Sequence, residues 1–389
     1  MKLYYLYFCL FLSIFILSSC DTAKKDTSTT SQIENNLTDW EWIPFIKIDS
    51  LNPILHPSTD LEFICPIRST SVLWEEKDVF NPAAIVKDGA VYLIYRAEDV
   101  IGKYNGTSRL GLAVSNDGLH FEKMKTPILF PDNDDLKNYE WEGGCEDPRI
   151  VEDENGTYYL TYTAYDGDKA RLFIATSTDL INWEKHGSIF LNAENGKYVD
   201  YWTKAGAIIT KEKDGKLIAA KINGKYWMYF GESNIYVATS DNLIDWIPMK
   251  ETDESKKQYD TLRGYEAFKI IFAPRKGKFD SFLVEPGPPP VLTENGVLFI
   301  YNSKNDPEHG DMSLPTGTYA AGQVLLNPED PSEVLARSEY NFFRPEEPYE
   351  MVGQVDNVNF LEGLVYFNNQ WLLYYGTADS KIAVAVYSK

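Results

Sequence analysis

Histidine and cysteine each occur only four times in the 389 residues. No spacing between them suggests a metal site, and no metal or cofactor is implied. Basic residues are also short: 37 Lys and Arg stand against 58 Asp and Glu, a formal net charge of -21. A chain this acidic is repelled by nucleic acid and by anionic lipid, so neither is expected as a partner. A convincing helical period is missing as well, and an all-β fold is expected. Aromatic residues, by contrast, make up 14% of the chain.

The amino-terminal Met1-Lys2 leads into an apolar run from Leu3 to Leu17 and then Leu17-Ser18-Ser19-Cys20. A positive start, a short apolar core and small residues before a cleavage point describe an export signal. The Leu-Ser-Ser-Cys ending resembles the bacterial lipoprotein signal. Residues 1–19 are therefore expected to be removed, Cys20 lipidated, and residues 20–36 to form a polar tether to the cell envelope. Residues 37–389 are expected to form the folded domain. Cys65 and Cys145 remain inside it, and export permits a disulfide without requiring one.

Five aromatic strands recur, and aligning Tyr95, Tyr162, Tyr229, Tyr301 and Tyr375 shows an internal repeat. Each copy follows a turn signal: Asp88-Gly89, Asn155-Gly156, Asn223-Gly224, Asn295-Gly296 and Asn368-Asn369. Repeats of this length, made of strands, are the signature of propeller blades. A five-bladed β-propeller is expected, with residues 37–77 packing on the first blade or completing the ring. Residues just after the repeated tyrosines should then converge on one funnel: Arg96, Glu98 and Asp99; Thr163 and Asp166; Glu232; Asn302 and Lys304; Asp379.

One stretch concentrates chemistry: Trp141-Glu142-Gly143-Gly144-Cys145-Glu146-Asp147-Pro148-Arg149. Crowded acids raise the pKa of whichever ionises last. In an extended strand Asp147 and Arg149 share a face and Glu146 points away. Pro148 suggests a strand end opening on a cleft, and Gly143 and Gly144 allow close approach to a ligand. The plain alternative is an Asp-Pro turn with its acids neutralised by arginine.

With Asn81-Pro82-Ala83-Ala84, Tyr95-Arg96-Ala97, Ser108-Arg109-Leu110-Gly111, Lys204-Ala205-Gly206-Ala207, Glu285-Pro286-Gly287 and Tyr375-Gly376-Thr377-Ala378-Asp379, this stretch resembles glycoside hydrolase family 130 over about residues 78–389. That family comprises five-bladed propellers acting on β-mannosides as phosphorylases or hydrolases. The resemblance implies Asp147 as general acid, working through a sugar hydroxyl. It implies that Asn81, Arg96, Arg109, Arg149 and Asp379 hold the mannosyl unit; Glu146, Lys204 and Glu285 are further substrate-binding candidates. For Arg96 or Arg109 alone, the plain alternative is a structural salt bridge between blades.

A phosphorylase needs clustered basic groups where phosphate attacks, whereas an inverting hydrolase needs a carboxylate base. Glu232, after the third repeated tyrosine, is the first candidate base, Glu266 the second and Glu285 the third. Arg171 and Lys204 keep the phosphorylase reading alive. Tyr201, Trp202 and Tyr265 are candidates for a sugar platform or for blade core. Export favours hydrolysis, because a sugar phosphate made outside the cytoplasm is stranded. An inverting, exo-acting β-mannosidase for β-1,2-linked mannosides is therefore expected, with a β-mannoside phosphorylase and a non-catalytic sugar-binding lipoprotein as the competing readings.

Overall fold

The chain is all-β in its regular structure. The computed structural model describes residues 40–255, 257 and 268–388. The lipidation candidate Cys20, the base candidate Glu266 and Tyr265 lie outside these residues. Strands follow one another as antiparallel meanders, interrupted by single helical turns such as Lys137–Glu140 and Pro348–Met351. No helix among the described residues is long and apolar enough to cross a membrane.

Asp78–Lys87, Ala90–Glu98 and Ser108–Ser115 pair in sequence. Gly144–Glu152, Tyr158–Tyr165, Ala170–Ser177 and Glu184–Ser188 do the same. Ala207–Ile208, Lys225–Phe230, Ile235–Ser240 and Trp246–Pro248 follow. Next, Leu283–Pro286 and Val291–Thr293 both pair with Gly296–Lys304, which continues into Tyr319–Leu326 and Val334–Arg337. Asn359–Phe367, Gln370–Thr377 and Lys381–Tyr387 form the last run, and Ile46–Lys47 adds its outer strand. The segment before residue 78 thus serves both ends of the fold. Trp42 packs on Trp371 of the last run at 4.4 Å, while buried Trp74 stacks near Tyr95 of the first.

Two devices repeat with the sequence. At Asp88-Gly89 both residues adopt positive φ, as they do at Asn223-Gly224, which suits the tight turn between twisted antiparallel strands. The repeated tyrosines are all fully buried, so each hydroxyl needs a partner. Tyr95 donates to Glu75, Tyr162 to Glu140, Tyr301 to Asp280 and Tyr375 to Glu350, all at 2.8–2.9 Å. Lys123, Lys185, Arg337 and Lys47 in turn pair with those four carboxylates. Tyr229 instead donates to the carbonyl of Pro331 at 2.7 Å. A buried acid without a cation is expensive, so the motif ties two further segments to each such tyrosine.

In three of the five runs the strand preceding the aromatic one is disturbed where it faces the tyrosine. Register slips between Phe80 and Pro82 opposite Tyr95, and between Glu146 and Arg149 opposite Tyr162. A third slip lies between Leu361 and Gly363, beside Tyr375. Bulges re-aim side chains and bend strands. Asn81 and Asp147 both sit at φ 47°, inside the bulges. This local break in alternation builds the site.

Candidate active site

A cavity of about 220 Å³ is lined by Asn81, Arg96, Asp147, Lys204, Glu232, Glu285, Lys304, Tyr319 and Asp379, with Phe80, Val355, Val358 and Phe360 as apolar wall. Its polar residues come from different runs, brought together although 298 positions separate Asn81 from Asp379. Of the funnel candidates, Arg96, Glu232, Lys304 and Asp379 reach this lining.

Asp147 is the most heavily contacted acid there. Asn81 Nδ2 donates to its Oδ1 at 2.9 Å, Arg96 Nη1 donates to the same oxygen at 3.1 Å, and Lys204 Nζ lies 3.5 Å from Oδ2. Burial favours the neutral acid, but Arg96, Lys204 and the Asn81 bond outweigh it and hold the carboxyl well below the ordinary range. Arg96 spreads its guanidinium further, to Glu98 at 2.7 Å and Glu146 at 2.9 Å, and its Nε donates to Ser108.

The bulge overturns the expectation that Glu146 faces away from Asp147. Both carboxylates meet the single Arg96, and two adjacent acids on one cation titrate as a pair. Burial pushes Glu146 up to about 7 despite Arg96, and Asp147 adds to the rise. Burial likewise raises Asp379 to about 7 against Arg96. It raises Glu285 to about 7 despite Lys204, with Glu232 adding to the shift. Glu232 Oε2 accepts from Trp202 Nε1 at 2.9 Å, which assigns Trp202 a positioning contact.

Several expected placements differ. Arg109 does not line the cavity: it is 1% exposed, paired with Asp99 at 2.8 Å and bonded to the Thr107 carbonyl at 3.0 Å. The salt-bridge alternative describes it. Arg149 also stays behind the lining, donating to the carbonyls of Gly287 and Pro286 and lying 2.8 Å from Glu362. It supports the wall from which Glu285 projects. Arg171 pairs with Asp166 and Asp200, away from the lining. Gly143 and Gly144 meet protein: a Cβ at Gly143 would strike Tyr165, and one at Gly144 would strike the Ser108 backbone, where two strands bridge. Tyr201 packs on Tyr198 and Phe268 in the core. Cys65 and Cys145 are free and buried.

Glu362 was missed. It is fully buried inside the third bulge, and burial raises its pKa well above the ordinary range despite Arg149, with Asp147 adding to the rise. Its signal was positional: Glu362 precedes Tyr375 by about the interval that separates Asp147 from Tyr162. Tyr319 was also missed, since it belongs to the strand after the repeated one.

The family model described as beta-1,4-mannooligosaccharide phosphorylase, that of glycoside hydrolase family 130, matches residues 51–389. A 1,2-beta-oligomannan phosphorylase of Thermoanaerobacter sp. (strain X514) is 34% identical, over 88% of this chain and 97% of that protein. A glycosyl hydrolase structure from Bacteroides ovatus is 44% identical with TM-score 0.85, covering 90% of this chain and 96% of the other. Another structure, 43% identical with the same score and coverage, is described by the statement that the GH130 family of mannoside phosphorylases contains glycoside hydrolases that target beta-1,2 mannosidic linkages in Candida mannan. The chain belongs to glycoside hydrolase family 130.

Proposed function

We propose that this protein is an inverting, exo-acting β-mannosidase that removes terminal mannose from β-1,2-linked manno-oligosaccharides. The carrying observation is the charge pattern of the cavity: Asp147, Glu232, Glu285 and Asp379 line it beside three cations, and Arg96 and Lys204 are engaged by its own acids. Among the described residues this leaves no cluster of unpaired basic groups for phosphate, whose charge the carboxylates would oppose. A cavity of about 220 Å³ is small. It lies below the ~300 Å³ at which ligand pockets usually begin, which suits one enclosed sugar ring with the next sugar reaching outward, and thus release from a chain end.

In this reading Asp147 is the general acid, acting through a hydroxyl of the mannosyl unit, and Glu232 is the base. Substrate hydroxyls that engage Lys204 and Arg96 loosen their hold on Asp147 and raise its proton affinity. Asp147, protonated once those cations turn to the substrate, gives its proton to that mannosyl hydroxyl, and the hydroxyl's own proton passes to the glycosidic oxygen as the C1–O bond breaks. Glu232 takes a proton from the water whose oxygen bonds to C1 from the opposite face. Asn81, Arg96, Glu146, Lys204, Glu285 and Asp379 orient the ring, because charged groups make strong, directional bonds to hydroxyls. Arg109 and Arg149 act from behind. We take the meanders as five blades around one axis, with residues 37–389 as the catalytic domain. Residues 1–19 are proposed as an export signal and Cys20 as a lipid anchor at the cell envelope, where hydrolysis is metabolically sensible.

The phosphorylase relative gives the second reading its weight. Incubating the protein with β-1,2-mannobiose, with and without inorganic phosphate, separates the two. Phosphate-independent release of mannose, initially as the α-anomer by proton NMR, supports the hydrolase. Mannose 1-phosphate formed only with phosphate overturns it, and binding without product leaves a sugar-binding protein.

A further inference from the structure

Lys304 differs from the other cations of the cavity. Among the described residues, its ammonium has no ion pair and donates no hydrogen bond. It lies instead 5.3 Å from the ring centre of Tyr319 and 5.6 Å from that of Phe282. Lys304 and Tyr319 are cross-strand partners and both line the cavity. The Phe282 backbone N–H donates to the Lys304 carbonyl at 2.9 Å, and its side chain is 53% exposed. Two aromatic faces thus hold a long flexible stem in place, leaving donors unspent at the cavity wall.

We propose that Lys304, Tyr319 and Phe282 form the subsite for the leaving-group sugar, the neutral pyranose on the far side of the bond that breaks. The proposal rests on the mannosidase reading. An ammonium with no internal acceptor has donors for ligand hydroxyls. The ionised Asp147 of the lining disfavours an anion in the same cavity. An exposed phenyl ring beside that ammonium supplies an apolar surface for the less polar face of a pyranose. Tyr319 joins the subsite to the lining acids: both it and they line the cavity, burial raises its phenol, and the charges of Glu285, Asp379 and Glu232 add to the rise.

The test compares two substrates that share the mannosyl unit and differ in leaving group: β-1,2-mannobiose and β-mannosyl fluoride. Lys304→Met keeps the stem and removes the charge, and Phe282→Ala removes the exposed ring. Each should lower kcat/KM on mannobiose about tenfold more than on the fluoride, the scale of one charge-assisted hydrogen bond. Equal losses on both substrates, or no loss on either, overturn the proposal. Calorimetry in an Asp147→Asn background gives a readout independent of turnover: Lys304→Met should weaken mannobiose and leave mannose unaffected. Inorganic phosphate that competes with mannobiose in the parent protein but not in Lys304→Met would make Lys304 an anion seat and overturn the sugar subsite. If the parent protein forms mannose 1-phosphate, the mannosidase reading fails while the calorimetric comparison still decides the subsite.

Discussion

Asn81 Nδ2 donates to Asp147 Oδ1 across 2.9 Å, joining the bulge of the first run directly to that of the second. Both residues have φ 47° and both precede a proline. A neutral amide at this point lets Asp147 keep its charge in a buried place. Asn81→Asp sets a second carboxylate against it, and like charges in contact raise the proton affinity of the pair. With both acids ionised at pH 8 their repulsion turns Asp147 from its aim, and a proton shared by the pair relieves it, so the expected result is at least a tenfold fall in kcat/KM at pH 8 with partial recovery toward pH 5. A pH-independent loss would mean that Asn81 acts by shape alone.

Asp147→Asn removes the proposed proton donor and keeps its volume. Loss of a positioned acid typically slows turnover about a hundred- to ten-thousand-fold, and that range is expected in kcat on β-1,2-mannobiose. Circular dichroism should be unchanged, because Arg96 keeps Glu98 and Glu146 as partners. Activity within twofold of the parent would remove Asp147 from the mechanism.

Trp202 reaches Glu232 through its indole N–H. Trp202→Phe keeps most of the ring and deletes that donor, so Glu232 loses one constraint on its orientation. We expect kcat to fall about tenfold with KM moving less than threefold, against a fall comparable to that of Asp147→Asn for Glu232→Gln. A change in KM alone would make Trp202 a sugar platform instead of a positioning residue.

The repeat, its tight turns and the all-β character were legible because turn chemistry and burial act locally, and the five tyrosines stay in phase with the strands. The convergence of Arg96, Glu232 and Asp379 followed from the repeat without any contact being known. What alternation concealed was the bulge. A period of two turns Glu146 away from Asp147, whereas the observed slip brings both onto Arg96. Glu362 was hidden for the same reason, as Leu361-Glu362-Gly363 has no Asn-Pro or Asp-Pro to mark the irregularity. Arg109 and Arg149 look like ligand arginines in sequence, and only burial separates a supporting guanidinium from an exposed one.

Arg149 and Glu362 are both essentially buried and 2.8 Å apart. Arg149 also donates to the buried Gly287 and Pro286 carbonyls, so its removal leaves those acceptors and Glu362 without a partner, at roughly 1–3 kcal/mol for each group left unpaired. Arg149→Met should therefore unfold at markedly lower urea concentration than the parent, and Arg149→Met with Glu362→Gln should regain part of the difference. Additive losses in the double variant would show that the two side chains are not energetically linked.

The raised acids give the ligand-free protein a pH signature. For Glu285, Glu146 and Asp379 the folded pKa is about 7, above ordinary values of 4.5, 4.5 and 3.8. Between those values and pH 7 the folded chain binds more protons than the unfolded one, so stability is lost as pH rises through that window. Asp147 has the opposite sign, and its contribution disappears only as pH falls below about 4. Thermal stability should therefore rise on going from pH 8 to pH 5 and fall again in stronger acid. Glu285→Gln isolates one contributor: it should be more stable than the parent at pH 8, by roughly 2–6 °C in Tm, and indistinguishable near pH 5. A variant that tracks the parent across the whole range would mean that Glu285 is ionised at little cost, and the cavity would then hold more negative charge at neutral pH than its burial suggests.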